Sequence, residues 1–275
     1  MRRGRLVTGP RLPAHPDQPA HPDQTAQVVQ RLRAAGCVFA EEEADHLLAR
    51  AVDQNELETL LARRVAGEPL EQVVGWVDIA GLRLRVGPGV FVPRRRSTLL
   101  IDLAVQAATQ REVIVELCCG VAPVAAAVAA AHPRVRVYAG DVDAAALEYA
   151  RLNVPTGVVV LSDLFAGVDP ALRGRVDVLA VSAPYVPSTH LDTMPRQARE
   201  HEPVRALDGG SDGLTVYRRM LAEASPWLSP TGTMLLECAR HQAPALSDDV
   251  TSAGFRPGLR TCDDLDATVV LARRR

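Results

Sequence analysis

Asp141 stands about 20 residues beyond a turn of small residues, Cys118-Cys119-Gly120-Val121-Ala122, and that spacing carries a chemistry. A carboxylate at the end of a second strand can accept from both hydroxyls of a ribose. A tight turn at the end of the first strand lets backbone approach the rest of an adenosine-containing cofactor. The turn discriminates among such cofactors. A dinucleotide fingerprint asks for three glycines, whereas here only Gly120 is kept, with Cys118 and Ala122 at the flanking places. Each added Cβ impedes the close approach a pyrophosphate needs, so dinucleotide binding is disfavoured. S-adenosyl-L-methionine carries no phosphate and asks less of the turn. A βαβ unit that binds nothing is the alternative at this point.

The elements that must position these groups follow from periodicity. Residues 113–117 form an apolar run of strand length bounded by charge, the alanines of 122–131 are strong helix formers, and 135–139 is a second strand leading to Asp141. A helix then runs through Asn153. Strands are expected at 158–161, 176–181 and 233–238, with two more between 255 and 272, and helices between them. Ligands in such open sheets bind beyond the carboxyl ends of strands, and the turns at Cys118, Asp141, Asp163 and Ser182 all fall on that edge.

The N-terminal third has a different character. Residues 1–24 are rich in proline, arginine and histidine and repeat Ala-His-Pro-Asp-Gln, so a disordered tail is expected. From Thr25 to Ala66 the apolar residues recur at helical spacing: Val28, Val29 and Leu32, then Ala44, Leu47, Leu48 and Val52, then Leu57, Leu60, Leu61 and Val65. Three short helices stopped by Gly67 and Pro69 make a small helical domain that would pack on its neighbour or grip a partner. Alternating apolar residues from Val77 to Val86, with a turn at Ala80-Gly81, read as a hairpin. Arg94-Arg95-Arg96 then reads as a solvated loop, or as a contact to an acidic substrate or partner. The organisation expected is a tail over 1–24, a helical domain over 25–70, a hairpin linker over 71–92 and an α/β domain over 93–275.

Composition narrows the function. A net charge of -2 offers no basic field for nucleic acid. All 31 basic residues are arginine, which excludes a Schiff-base or P-loop lysine. The five cysteines have no metal-ligand spacing, and Cys118 and Cys119 read as small packing residues. No apolar run reaches membrane-span length and no signal-peptide core is present, so no membrane association and a cytoplasmic location are expected.

Several runs then resemble one family. Gly67-Glu68-Pro69-Leu70, Phe91-Val92-Pro93-Arg94, Glu202-Pro203, and Ala206-Leu207-Asp208-Gly209-Gly210 followed by Asp212-Gly213-Leu214 are similar to the HemK-type (PrmC-like) methyltransferases, which modify a glutamine side-chain amide of release factors or a ribosomal protein. The similarity spans about residues 26 to 270. It implies a class I S-adenosyl-L-methionine methyltransferase fold, Rossmann-like, with a seven-stranded, mostly parallel sheet. It implies cofactor contacts from Glu116, from Cys118, Cys119, Gly120, Val121 and Ala122 around the methionine part, from Asp141 and Val142 at the ribose, and from Asp163 and Leu164 at the adenine. Ser182-Ala183-Pro184-Tyr185 stands where the family has Asn-Pro-Pro-Tyr, the clamp for the accepting nitrogen, and Ser182 also borders the cofactor.

An amide nitrogen is a poor nucleophile, and the family's clamp works by orientation: the asparagine oxygen and the next backbone carbonyl accept the two amide protons. Here the Ala183 carbonyl remains, Pro184 stiffens the loop and Tyr185 can pack on substrate, but Ser182 has a hydroxyl on a shorter stem that donates as well as accepts. Val121, Ala122 and Thr98 depart from the family as well. The expected activity is therefore N-methylation of a protein glutamine, with a translation factor as substrate partner and the helical domain as a possible docking unit. The alternatives are a repurposed enzyme acting on a small metabolite, for which Ser182 makes room, or a non-methylating scaffold. No metal and no nucleic-acid partner are expected.

Overall fold

The computed structural model describes residues 22–275. The expected tail lies outside the described residues except for its last positions, Pro22 to Gln24, which open the first helix. Helices α1 (Pro22–Ala34), α2 (Ala40–Arg50) and α3 (Gln54–Val65) bury Val28, Leu32, Ala44, Leu47, Leu57, Leu60 and Leu61 in a core of their own. Val52 and Val65, expected on these faces, are exposed, because one lies past the end of α2 and the other is the last residue of α3. Inside the unit, Glu43 and Arg64 form a buried bidentate pair, 2.6 and 2.9 Å.

Pro69 stops α3's extension but also starts α4 (Leu70–Val74), a helix that composition alone does not announce. Proline's fixed φ suits a helix entry as well as a stop. Val73 and Val74 join the helical core, and the buried Gln72 amide donates to the carbonyls of Val90 and His201, tying the helical unit to the rest of the chain. The hairpin β1 (Trp76–Ile79) and β2 (Leu82–Arg85) turns at Ala80-Gly81 as expected. Both turn residues have positive φ, the primed turn that suits twisted strands.

The α/β domain then runs α5 (Thr98–Ala107), β3 (Val113–Leu117), α6 (Pro123–Ala131), β4 (Arg136–Asp141), α7 (Ala144–Asn153), β5 (Val158–Leu161), β6 (Val176–Val181), α8 (Arg196–His201), α9 (Thr215–Ala224), β7 (Leu228–Glu237), α10 (Ala243–Ser252), β8 (Phe255–Cys262) and β9 (Ala267–Arg274). The seven-stranded sheet has the order β5-β4-β3-β6-β7-β9-β8, parallel except where β9 pairs antiparallel with β7 and β8. Strand β3 is buried along its whole length, and its side chains alternate. Ile114 packs under α5, α6 and the hairpin, while Val113, Val115 and Leu117 pack under α9 and α10. Strand β7 begins at Leu228, earlier than its apolar run, passing through Ser-Pro-Thr-Gly. Gly232 allows this passage, since a Cβ there would lie 2.7 Å from the Val176 carbonyl.

The chain leaves β3 toward β4 and β5, then returns to β3's other side as β6. The strand order reverses between β4 and β6, and the crevice at such a switch point is where a parallel sheet takes ligands.

Candidate active site

The turn after β3 holds an alternating backbone. Cys118, Gly120 and Ala122 have φ of 53, 54 and 62°, so the three places of the glycine fingerprint keep its left-handed geometry although only one is glycine. Each of the other two bears a cost on the order of 1 kcal/mol. Neighbouring polar groups hold the turn in place. The N–H of Cys119 donates to the Gly140 carbonyl at 3.2 Å, and the Asn153 amide donates to the Val121 carbonyl at 2.9 Å while pairing with the backbone of Arg85 in the hairpin.

Two carboxylates finish the arrangement. Asp141 accepts from the N–H of Gly120 at one oxygen and from the N–H of Asp143 at the other, both at 2.8 Å. Burial raises its carboxyl above the usual range, with these donors opposing. Glu116, inside β3, accepts from the N–H groups of Val124 and Ala125 at 3.2 and 2.7 Å and so caps α6. Burial pushes its carboxyl up to about 8 against those two donors. Its folded value lies above its free value, so its contribution to stability is complete at acid pH and is lost as pH rises through about 8. We expect melting temperature to fall as pH rises from about 4.5 to about 8, and Glu116→Gln to flatten that fall. Parallel curves for the two proteins in a pH series of thermal melts would refute the assignment.

A cavity of about 380 Å³ opens beyond the strand ends. Of the residues singled out from sequence, Cys118, Gly120, Asp141, Val142, Asp163, Leu164, Ser182, Ala183, Pro184 and Tyr185 line it together. Glu116, Cys119, Val121 and Ala122 do not: they are buried behind the turn and act on its shape. Burial raises the thiols of Cys118 and Cys119, so neither is a ready thiolate. Sequence reasoning missed Phe91, Met194, Arg205 and Arg219, which also line the cavity. The arginine run resolves residue by residue: the tight turn Arg95–Ser97 leaves Arg95 exposed while Arg94 and Arg96 border the cavity.

The 182–185 segment follows β6 and is braced from behind. The N–H of Ala183 donates to the Tyr217 hydroxyl at 3.2 Å, and that hydroxyl donates to the Glu237 carbonyl. The Tyr185 hydroxyl and Ser97 both donate to one oxygen of the buried Glu237 carboxyl, at 3.3 and 3.2 Å. The Gln242 amide bridges the carbonyls of Tyr185 and Asp212 at 2.8 and 3.0 Å. Gly209 and Gly213 let the 206–214 run lie against this segment, for a Cβ on either would fall 2.6 Å from the Pro184 carbonyl oxygen or 2.2 Å from that of Tyr185. The same run is thus structural: Asp208 accepts from Ser188 and Asp212 pairs with Arg218, while Glu202 ahead of it pairs with Arg94 and accepts from the N–H of Val92. Among the described residues, the Ser182 hydroxyl and the Ala183 carbonyl have no protein hydrogen-bond partner, and both residues line the cavity.

This site fits S-adenosyl-L-methionine. Each Asp141 oxygen bonded to one backbone N–H keeps a second lone pair for a ribose hydroxyl. A Cβ on Gly120 would meet nothing within 4 Å, so the turn opens onto free space. The volume lies within the ~300–1,000 Å³ of small-molecule sites.

Comparison with known proteins gives the same direction. Residues 82–188 match the model of the Methyltransferase small domain. The chain is similar to the release factor glutamine methyltransferase of Streptomyces coelicolor, 35% identical over 237 residues, covering 79% of this chain and 84% of that one. It is also similar to the 4-amino-L-phenylalanine/4-methylamino-L-phenylalanine methyltransferase of Streptomyces pristinaespiralis, 32% identical over 253 residues, covering 87% and 85%. A solved methyltransferase from Pyrococcus furiosus shares the fold with a TM-score of 0.52 at 19% identity, covering 70% of this chain and 89% of that one.

Proposed function

Because this chain belongs to the release factor glutamine methyltransferase family and is an S-adenosyl-L-methionine-dependent methyltransferase, we propose that it methylates the side-chain amide nitrogen of a glutamine in a protein of the release-factor kind. The observation carrying this reading is that residues 182–185 line the same cavity as Asp141 and Gly120, and that among the described residues the Ala183 carbonyl and Ser182 hydroxyl have no protein partner. When bound, the cofactor supplies an electrophilic methyl group. Asp141 would take its ribose, Asp163 and Leu164 would flank its adenine, and the 118–122 turn would follow its methionine part.

The chain's own residues then act by orientation. The Ala183 carbonyl accepts one amide proton and the Ser182 hydroxyl the other, which turns the nitrogen lone pair toward the methyl group. Pro184 limits the segment's freedom, and the bond from Tyr185 to Glu237 holds the ring that packs on the substrate. The helical unit gives a protein acceptor a second surface to lean on. Incubating the enzyme and cofactor with a bacterial release factor, then mapping methylation by peptide mass spectrometry, tests the proposal. A methylated glutamine supports it, and an unmodified protein at complete turnover of a positive control refutes it.

A second reading has its own support. The Streptomyces pristinaespiralis relative is a methyltransferase of 4-amino-L-phenylalanine and 4-methylamino-L-phenylalanine, and serine at 182 leaves more room than asparagine would. Ser182→Asn separates the two. If the acceptor is a glutamine amide, the longer side chain restores an orienting bond, and kcat/KM should rise by about 10- to 100-fold, since a misplacement of ~1 Å costs about that much. If the acceptor is a bulkier amine, the same change should lower it.

A further inference from the structure

We propose that Arg96 receives a carboxylate on the methyl acceptor, so that the substrate of this site bears an acidic group besides the nitrogen that is methylated. This rests on the methyl-transfer reading above. Four arginines line the cavity: Arg94, Arg96, Arg205 and Arg219. Three already have a carboxylate of the protein. Arg94 pairs with Glu202 at 2.5 Å, Arg219 with Asp163 at 2.7 Å, and Arg205 with Asp143 at 3.7 Å. Among the described residues Arg96 has no carboxylate within ion-pair distance and donates no hydrogen bond, although it is half-buried against the cavity. A guanidinium offers five donors in a planar fork that matches a carboxylate, and a half-buried one left without a partner favours an incoming anion.

Its position identifies which ligand brings that anion. Arg219 pairs with Asp163, on the side of the cavity where the adenine is placed. Ser97, next to Arg96 in the chain, and Tyr185 donate to the same oxygen of Glu237. Arg96 therefore belongs to the Tyr185 side, where the acceptor is clamped, and Arg219 to the cofactor side. Glu237 does not satisfy Arg96. Its side chain is buried and does not line the cavity, and it makes no ion pair or hydrogen bond with Arg96. The acidic group is either the carboxylate of a free amino acid or an acidic residue beside the methylated glutamine. Both present the same chemistry to Arg96.

Isothermal titration of the full chain loaded with S-adenosylhomocysteine tests this in two arms. One compares 4-amino-L-phenylalanine with the same amine lacking its carboxylate. The other compares glutamine peptides whose neighbouring residue is glutamate or glutamine. In one arm the acidic probe should bind roughly tenfold tighter or more, as expected for hydrogen bonds between charged groups. Arg96→Gln should abolish that preference, Arg96→Lys should keep part of it, and affinity for S-adenosylhomocysteine should be unchanged in both. The arm that responds names the source. Equal binding within each pair, or no binding in either, overturns the proposal. So does a loss of S-adenosylhomocysteine affinity in Arg96→Gln, which would give Arg96 to the cofactor's own carboxylate. Failure of the wild-type chain to bind S-adenosylhomocysteine sinks the methyltransferase reading itself, before any acceptor is added.

Discussion

Asp141→Ala should lower affinity for S-adenosylhomocysteine by roughly 100-fold or more, because two hydrogen bonds from ribose to a carboxylate are each worth about 1.5–3 kcal/mol. The loss is compounded within the protein. The N–H groups of Gly120 and Asp143 both donate to this side chain at 2.8 Å, so alanine releases the turn and the entry to α7 together. Asp141→Asn keeps the shape but turns an NH2 toward one of those N–H groups, and it should fall between. Calorimetry gives the affinity, and circular dichroism melts show whether the fold persists. Affinity within threefold of wild type in the alanine variant would contradict the role assigned to Asp141.

Gly213→Ala should lower kcat/KM by about 100-fold while leaving cofactor affinity nearly intact. Gly213 has φ +79°, and an added Cβ would sit 2.2 Å from the Tyr185 carbonyl oxygen and 2.3 Å from the Gln242 amide nitrogen. A backbone carbonyl cannot yield without moving the acceptor clamp, and the bridge from Gln242 would break with it. Backbone strain alone is separable from this clash. Gly174 has φ +72° and open space around its Cβ direction, so Gly174→Ala carries the left-handed cost of about 1–2 kcal/mol without the collision. Steady-state kinetics of the two variants decide the matter. If Gly213→Ala loses no more activity than Gly174→Ala, the glycine run does not brace the clamp.

Much of the architecture was legible because its signals are local. Val113–Leu117, Val158–Leu161 and Val176–Val181 are short apolar runs that end in turns, and the strands have those limits. Asp141 and the turn before it were found by spacing, and the cavity brings them together with Ser182, which is 41 residues further along the chain from Asp141 and reaches them only through the sheet's return from β5 to β6. What was not legible depends on direction. Nothing in Arg94-Arg95-Arg96 says that two of three arginines border a cavity. That follows from the tight turn at Arg95–Ser97. Glu116 in an apolar strand looks like a cofactor ligand by family position, yet its partners are the first N–H groups of α6, known only once β3 and α6 are packed. The stretch from Ser188 to Ala206 lacks any apolar period, and it folds as short helical turns whose place is set by contacts of Glu202 with Val92 and of Ser188 with Asp208.

The central claim is that the crevice between Gly120 and Ser182 holds an adenosyl cofactor despite side chains at two of its three fingerprint positions. A crystal structure grown with S-adenosylhomocysteine tests it most directly. The expected result is ribose hydroxyls against Asp141, adenine beside Leu164 and the sulfur facing Pro184. An empty crevice at saturating ligand, or a ligand bound elsewhere, would contradict it.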